Sequence, residues 1–188
     1  PSLITADPII KIDISCNGLT DGSATIANVG GGTPFAGNTY TYLWQDAFLN
    51  TISTNASTGS TLSEGTYSCI ISDSNFCSVT SYTTIINPSL ITVDSTTKID
   101  ISCNGLTDGS ASVLNPSGGT PFTLGNNYTY EWLDGAGVSI GQNTQTATGL
   151  PSGIYSCLVL DANSCSSNTT SVTIIDPPLI AIDSIGVN

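Results

Sequence analysis

The sequence predicts an all-β chain of two sandwich domains in tandem, on three observations. First, the fourteen residues KIDISCNGLTDGSA occupy 11–24 and recur, letter for letter, at 98–111. The offset of 87 persists downstream with small drift, since Trp44 aligns with Trp132, Cys69 with Cys157 and Cys77 with Cys165. Second, apolar and polar residues alternate in short runs broken by Gly, Asn, Asp and Pro, and no stretch keeps a helical period for three turns. Third, β-branched residues dominate the apolar set while Ser, Thr, Asn and Gly fill the polar positions, the composition of a neutral, hydrogen-bonding β surface.

Strands are expected in the first unit at 9–15, 23–29, 39–44, 58–62, 66–72 and 79–86, and the second unit repeats them. Alternation puts Tyr40, Tyr42 and Trp44 on one inner face, and Tyr128, Tyr130 and Trp132 likewise, with Glu131 opposite. It also groups Tyr67 with Cys69 and Ile71, and Tyr155 with Cys157 and Val159. The loop NGLTDG reads as a tight turn into the second strand, with positive φ expected at Asn17-Gly18 and Asp21-Gly22. The runs Gly30-Gly31-Gly32-Thr33-Pro34 and Gly118-Gly119-Thr120-Pro121 read as turns with positive φ at Gly. Neither run is followed by the Lys and helix that a phosphate loop needs.

A Trp on the third strand, 39–44, and a Tyr two residues before a Cys on the strand 66–72, the sixth of an immunoglobulin-like order, are the pattern of an immunoglobulin-like sandwich. Cys16 precedes the second strand instead of sitting inside it, so the likeness is one of pattern and not of the antibody disulfide. The domains expected are 1–87 and 88–176, arranged end to end, with 177–188 as the start of a third repeat because PPLIAIDSIGVN resembles PSLITADP and PSLITVDSTTKI. Proline at each joint limits φ and stiffens it. The chain is accordingly read as a window of a longer secreted array.

Composition excludes several functions. With 14 acidic and 2 basic residues the net charge is −12, which repels nucleic acid and anionic membranes. No apolar run approaches the roughly 18 residues of a membrane span, so no membrane insertion is expected. Charged residues are only 9% and hydrophobic ones 39%, unlike an acidic disordered tail. No His or Arg is present to build a triad, a proton shuttle or an oxyanion clamp. Paired carboxylates could be drawn from Asp21, Glu64, Asp73, Asp108, Asp161 and Glu131. Glu64, however, aligns with Ser152, an odd exchange for a catalytic acid, and the expectation is a protein that is not an enzyme.

No cofactor is expected, with Ca²⁺ as the candidate ligand. Its oxygen donors would be Asn17 and Asp21 in one loop and Asp73 and Asn75 in another, repeated as Asn104, Asp108, Asp161 and Asn163. Six cysteines in a chain that reads as extracellular point to disulfides, not to a zinc site. Cys16 and Cys103 end the first strand, at the pole where the sixth begins with Cys69 and Cys157 close by. Cys77 and Cys165 fall past the sixth strand, on the order of 20 Å away against a limit of about 7 Å between Cα atoms. The favoured bonds are therefore Cys16–Cys69 and Cys103–Cys157, with other pairings, Cys16–Cys77 among them, left open.

The order CNGLTDGSA, GGTPF, YTYLW, LSEGTYSCIISDSNFC and NPSL resembles the SprB repeat, a module of giant surface adhesins in gliding Bacteroidetes. The likeness spans both units. Residues 35–38 and 122–127 stand where the family has Pro-Pro before Tyr-Thr-Tyr, Asn75-Phe76-Cys77 stands for Asn-Gly-Cys, and Cys69 replaces an apolar residue. The resemblance implies type IX export to the cell surface and a place in an adhesin or filament. Since the family keeps the first and last Cys, it also raises an inter-repeat bond in which Cys165, or Cys77, reaches a neighbouring repeat, as Cys16–Cys165 would. Ser95 and Ser184 follow Asp in the manner of Bacteroidetes O-glycosylation sites, whereas the sequons at Asn55, Asn127 and Asn168 occupy non-equivalent places.

Two functions are weighed. A spacer would rely on length, with neighbouring repeats of the same chain as partners and lateral self-association between chains. A binding module would take surface polysaccharide or substratum, with Phe48, Phe76 and Tyr82 as unrepeated aromatic candidates. The spacer is favoured.

Overall fold

Side-chain alternation decides what a strand can bury, and the longest strands display it. The strand Gly65–Ser72 buries Tyr67, Cys69 and Ile71, and its copy Gly153–Leu160 buries Tyr155, Cys157 and Val159. The computed structural model describes residues 2–181, and every regular element among them is a strand. Two units divide the chain, 1–89 and 90–188.

The strands of the first unit are β1 (Thr5–Ala6), β2 (Ile10–Ile12), β3 (Gly22–Thr25), β4 (Val29–Gly30), β5 (Thr41–Asp46), β6 (Thr51–Thr54), β7 (Thr58–Leu62), β8 (Gly65–Ser72) and β9 (Ser78–Ile85). One sheet has the order β2-β3-β7 and the other β6-β5-β8-β9, with β1 and β4 as a short pair. The second unit has β10 (Ser95–Ile99), β11 (Gly109–Leu114), β12 (Thr129–Asp134), β13 (Thr146–Leu150), β14 (Gly153–Leu160) and β15 (Thr170–Ile174). Its sheets run β10-β11-β13 and β12-β14-β15. The pairs within these sheets are antiparallel, and the chain of the first unit changes sheet between β3 and β5, between β6 and β7, and again between β7 and β8. Each unit is thus an immunoglobulin-like β-sandwich.

In each core a tryptophan sits at the centre. Trp44 and Trp132 are fully buried, in register with Cys69 and Cys157 across the sheet. Their indole N–H groups donate to the carbonyls of Ala56 (3.0 Å) and Thr144 (2.9 Å), which satisfies the one polar atom each ring brings inside. Around Trp44 pack Ile14, Ala24, Ile26, Leu62, Tyr67, Ile71 and Ile85. The hydroxyls of Tyr67 and Tyr155 donate to the carbonyls of Ser63 (3.0 Å) and Pro151 (3.1 Å), four residues upstream, which is the tyrosine corner.

The strand expected at 58–62 is β7, and those at 66–72 and 79–86 are β8 and β9 with one residue's difference at each end or less. Two expectations are corrected. The strand at 9–15 ends at Ile12, because the Asp13 carboxylate turns to accept the N–H of Ile86 (2.8 Å). Gly22 and Gly109 do not adopt positive φ. They open β3 and β11 under crowding: a Cβ on Gly22 would stand 2.6 Å from Ile85 Cγ2 and 2.8 Å from the Leu62 carbonyl, and one on Gly109 would stand 2.7 Å from Ile174 Cγ2. The strands β1 and β6 had no distinct sequence signal, being two and four residues long.

Candidate functional site

The fourteen-residue repeat builds a clamp on the end of its own unit. Gly18 takes φ 82° and Gly105 φ 81°, which turns the loop towards the exit segment. The Asn17 side-chain amide then donates to the Pro88 carbonyl (2.8 Å), and the Gly18 N–H donates to Asn87 Oδ1 (3.1 Å). In the second unit Asn104 donates to the Pro177 carbonyl (2.8 Å) and Gly105 N–H to Asp176 Oδ1 (3.1 Å). Asp21 braces the loop by accepting the Ser15 N–H (3.0 Å) and the Ser15 hydroxyl, and Asp108 does the same with Ser102. Those hydroxyls, and then the backbone N–H groups, hold the Asp21 and Asp108 carboxyls below the usual carboxylate range.

Asp73 and Asp161 are buried, and each ties a glycine turn to a strand hairpin. Asp73 accepts N–H groups from Thr33 (2.8 Å), Asn75 (2.9 Å) and Cys77 (2.9 Å). Asp161 accepts those of Thr120 (2.7 Å), Asn163 (2.9 Å) and Cys165 (2.9 Å). The Thr33 N–H leads the Cys77 and Asn75 N–H groups in holding the Asp73 carboxyl below its ordinary value. Gly32 and Gly119 are required here: φ is 62° and 60°, and a Cβ would strike the Asp73 or Asp161 carboxylate at 2.7 or 2.5 Å.

The candidate Ca²⁺ ligands therefore lie in two places per unit. Asn17 and Asp21 sit beside the exit at the end of β9, while Asp73 and Asn75 precede its start, about 26 Å away along an eight-residue strand. The Asn75 side chain donates to Thr33 Oγ1 (3.1 Å). Donors already face these carboxylates. Among the described residues no three His, Cys, Asp or Glu side chains gather into a group that could hold a metal.

The cysteines differ from the favoured reading. Cys69, Cys77, Cys103 and Cys157 are free thiols, and Cys16 and Cys165 are disulfide-bonded. The expected Cys16–Cys69 and Cys103–Cys157 bonds are not formed. Cys69 does not stand at the start of β8 but four residues in, fully buried opposite Trp44, while Cys103 is exposed in its loop. Burial pushes the Cys69 thiol up to about 11 and that of Cys157 to about 12.

Of the aromatic candidates, Phe48, Phe76 and Tyr82 are all exposed, but they do not share a platform. Phe48 follows β5, Phe76 lies in the β8–β9 turn at the other end of that sheet, and Tyr82 is midway along β9, opposite Ser68. Ser95 is exposed at the start of β10; Ser184 lies outside the described residues. The exit clamp escaped the sequence reading. Its signal was the identity of NG in both copies followed, some 70 residues on, by Asn-Pro and Asp-Pro.

The SprB repeat family model matches residues 11–47 and 95–137. No curated protein matches the chain. Among solved structures, the chain is similar to a biofilm associated protein, BSP domain, at 14% identity and TM-score 0.31, over 93% of this chain and 30% of that one. It thus spans about 30% of the length of that structure. Murine CEACAM1b aligns at 11% identity and TM-score 0.38, over 89% of this chain and 98% of that one. The fibronectin(III)-like modules of Clostridium thermocellum CbhA align at 14% identity and TM-score 0.36, over 93% and 94%. Each of the two units carries a segment that matches the SprB repeat.

Proposed function

We propose that the chain is a run of structural repeats from a cell-surface adhesin or extracellular filament, serving as a stiff, non-enzymatic spacer. The observation that carries this reading is the clamp. In both units the repeated Asn-Gly loop holds its own exit segment by two hydrogen bonds, so the direction in which the chain leaves each domain is fixed by that domain. A stiff spacer needs such a fixed exit. The SprB match in both units supports the surface setting, and type IX export and a role in gliding belong to the same proposal.

Domains set end to end would each add about 35–40 Å, since eight strand residues span about 26 Å before loops are added. Function would then come from the number of repeats. Cys16 and Cys165 pair with each other between repeats in the same proposal, a bond that non-reducing peptide mapping reads directly. Electron microscopy of parent chains with repeats deleted tests the spacer. A projection that shortens by a constant step per repeat, with adhesion at the tip retained, is the expected result. Adhesion lost in proportion to repeat number at unchanged length would favour the binding module.

A further inference from the structure

The second unit contains a cleft of about 330 Å³ lined by Asn115, Pro116, Gly125, Asn126, Asn127, Tyr128, Tyr130 and Gln145. We propose that this cleft is a binding site for a neutral saccharide. Four carboxamides ring it, and no Asp, Glu or Lys lines it. Each carboxamide offers two N–H donors and one acceptor oxygen, the complement of sugar hydroxyls that donate and accept at once. Anionic sugars find no cation here in a chain of net charge −12, and an apolar ligand finds a rim of amides. The volume suits one or two sugar rings, at the small end of ligand sites of about 300–1,000 Å³.

Polar capacity in the cleft is available, and two of its side chains are held in place. Gln145 is anchored by its Nε2–H, which donates to the Val113 carbonyl (2.8 Å), leaving Oε1 to accept. Tyr128 forms the floor, its hydroxyl donating to the Gly118 carbonyl (2.8 Å). The side chains of Asn115, Asn126 and Asn127 are exposed and make no hydrogen bond among the described residues.

The first unit is an internal control. There Thr39 stands for Asn127 and Ser57 for Gln145, and the connection from Phe35 to Tyr40 is one residue shorter than that from Phe122 to Tyr128. Asn28, the counterpart of Asn115, is engaged by the Asp7 carboxylate (2.6 Å). Two homologous sandwiches thus share a fold and differ in this rim, which places the site in the rim and not in the scaffold.

The test titrates the whole chain with short neutral oligosaccharides from plant and algal polysaccharides, with fragments of the producing cell's own surface polysaccharide, and with uronate and sulfated chains. Binding is read by calorimetry and by Tyr128 and Tyr130 NMR shifts. A neutral saccharide from either source binds, and Asn127→Thr with Gln145→Ser weakens it about tenfold or more at unchanged melting temperature. These substitutions introduce what the first unit already carries. Should they lower the melting temperature, Asn126→Ala replaces them with the same expected loss. Absence of any neutral ligand, binding confined to anionic chains, or affinity unaltered in the variants overturns the proposal.

Discussion

Lys11 and Lys98 are the only cations of the chain, and both occupy the same seam. Lys11 Nζ donates to Asp13 Oδ1 (2.9 Å) and to the Thr84 carbonyl (2.9 Å), joining β2 to β9 across the open edge of the sandwich. Lys98 repeats this with Asp100 (2.8 Å) and the Thr173 carbonyl (2.6 Å). The ammonium groups hold the Asp13 and Asp100 carboxyls below the ordinary range, aided by the Ile86 and Ile175 N–H groups. Folded-state values below the unfolded ones stabilise the fold above the unfolded value of about 4, and that contribution fades as pH falls through the folded values. Stability should therefore be level near neutral pH and decline below about pH 4. The buried thiols act in the opposite direction. Raised to about 11 and 12, Cys69 and Cys157 contribute fully below the unfolded value of 9.0 and lose that contribution as pH rises through their folded values. Replacing both lysines by Met should lower the melting temperature by a few degrees and shrink the acid loss. Chemical denaturation across pH checks both.

At the scale of elements, two glycines of similar sequence context carry opposite expectations. Gly22→Ala forces a Cβ against Ile85 and the Leu62 carbonyl, and it should cost about 1–3 kcal/mol. Gly59→Ala meets the Trp44 ring at 3.3 Å, but the equivalent residue of the second unit is already Ala147, fully buried beside Trp132. It should change stability by less than about 1 kcal/mol in either direction. Urea unfolding of the two variants separates a packing glycine from a replaceable one. The clamp yields a further expectation: Asn17→Ala should leave the core's hydrogen exchange unchanged while residues 86–89 lose protection. Equal loss throughout the unit would show that the loop supports the fold as a whole.

Strands with alternation, such as β8 and β9, were legible because burial on one face and water on the other leave a period of two. The inner Tyr-Tyr-Trp set was legible for the same reason. Gly22 was misread because a glycine after Asp signals a turn in sequence, while the crowding that demands it comes from Ile85, 63 residues away. The role of Asp73 was hidden likewise: its N–H donor Thr33 lies on another loop, and sequence does not reveal whether a carboxylate faces donors or a cation.

At the scale of the whole molecule, two sandwiches with the same core, the same tyrosine corner and the same exit clamp point to a chain whose unit of function is the repeat. Adding Ca²⁺ or a chelator should leave its melting temperature unchanged, because amide donors occupy the Asp73 and Asp161 carboxylates. A shift of many degrees that vanishes in Asp21→Asn with Asp108→Asn would establish a metal site. The spacer itself is tested most directly by small-angle X-ray scattering of the 188-residue chain. The prediction is an elongated particle with a maximum dimension of about 70–80 Å, twice the span of one domain. A compact profile, with the two domains folded against each other and a maximum dimension nearer about 50 Å, would contradict it.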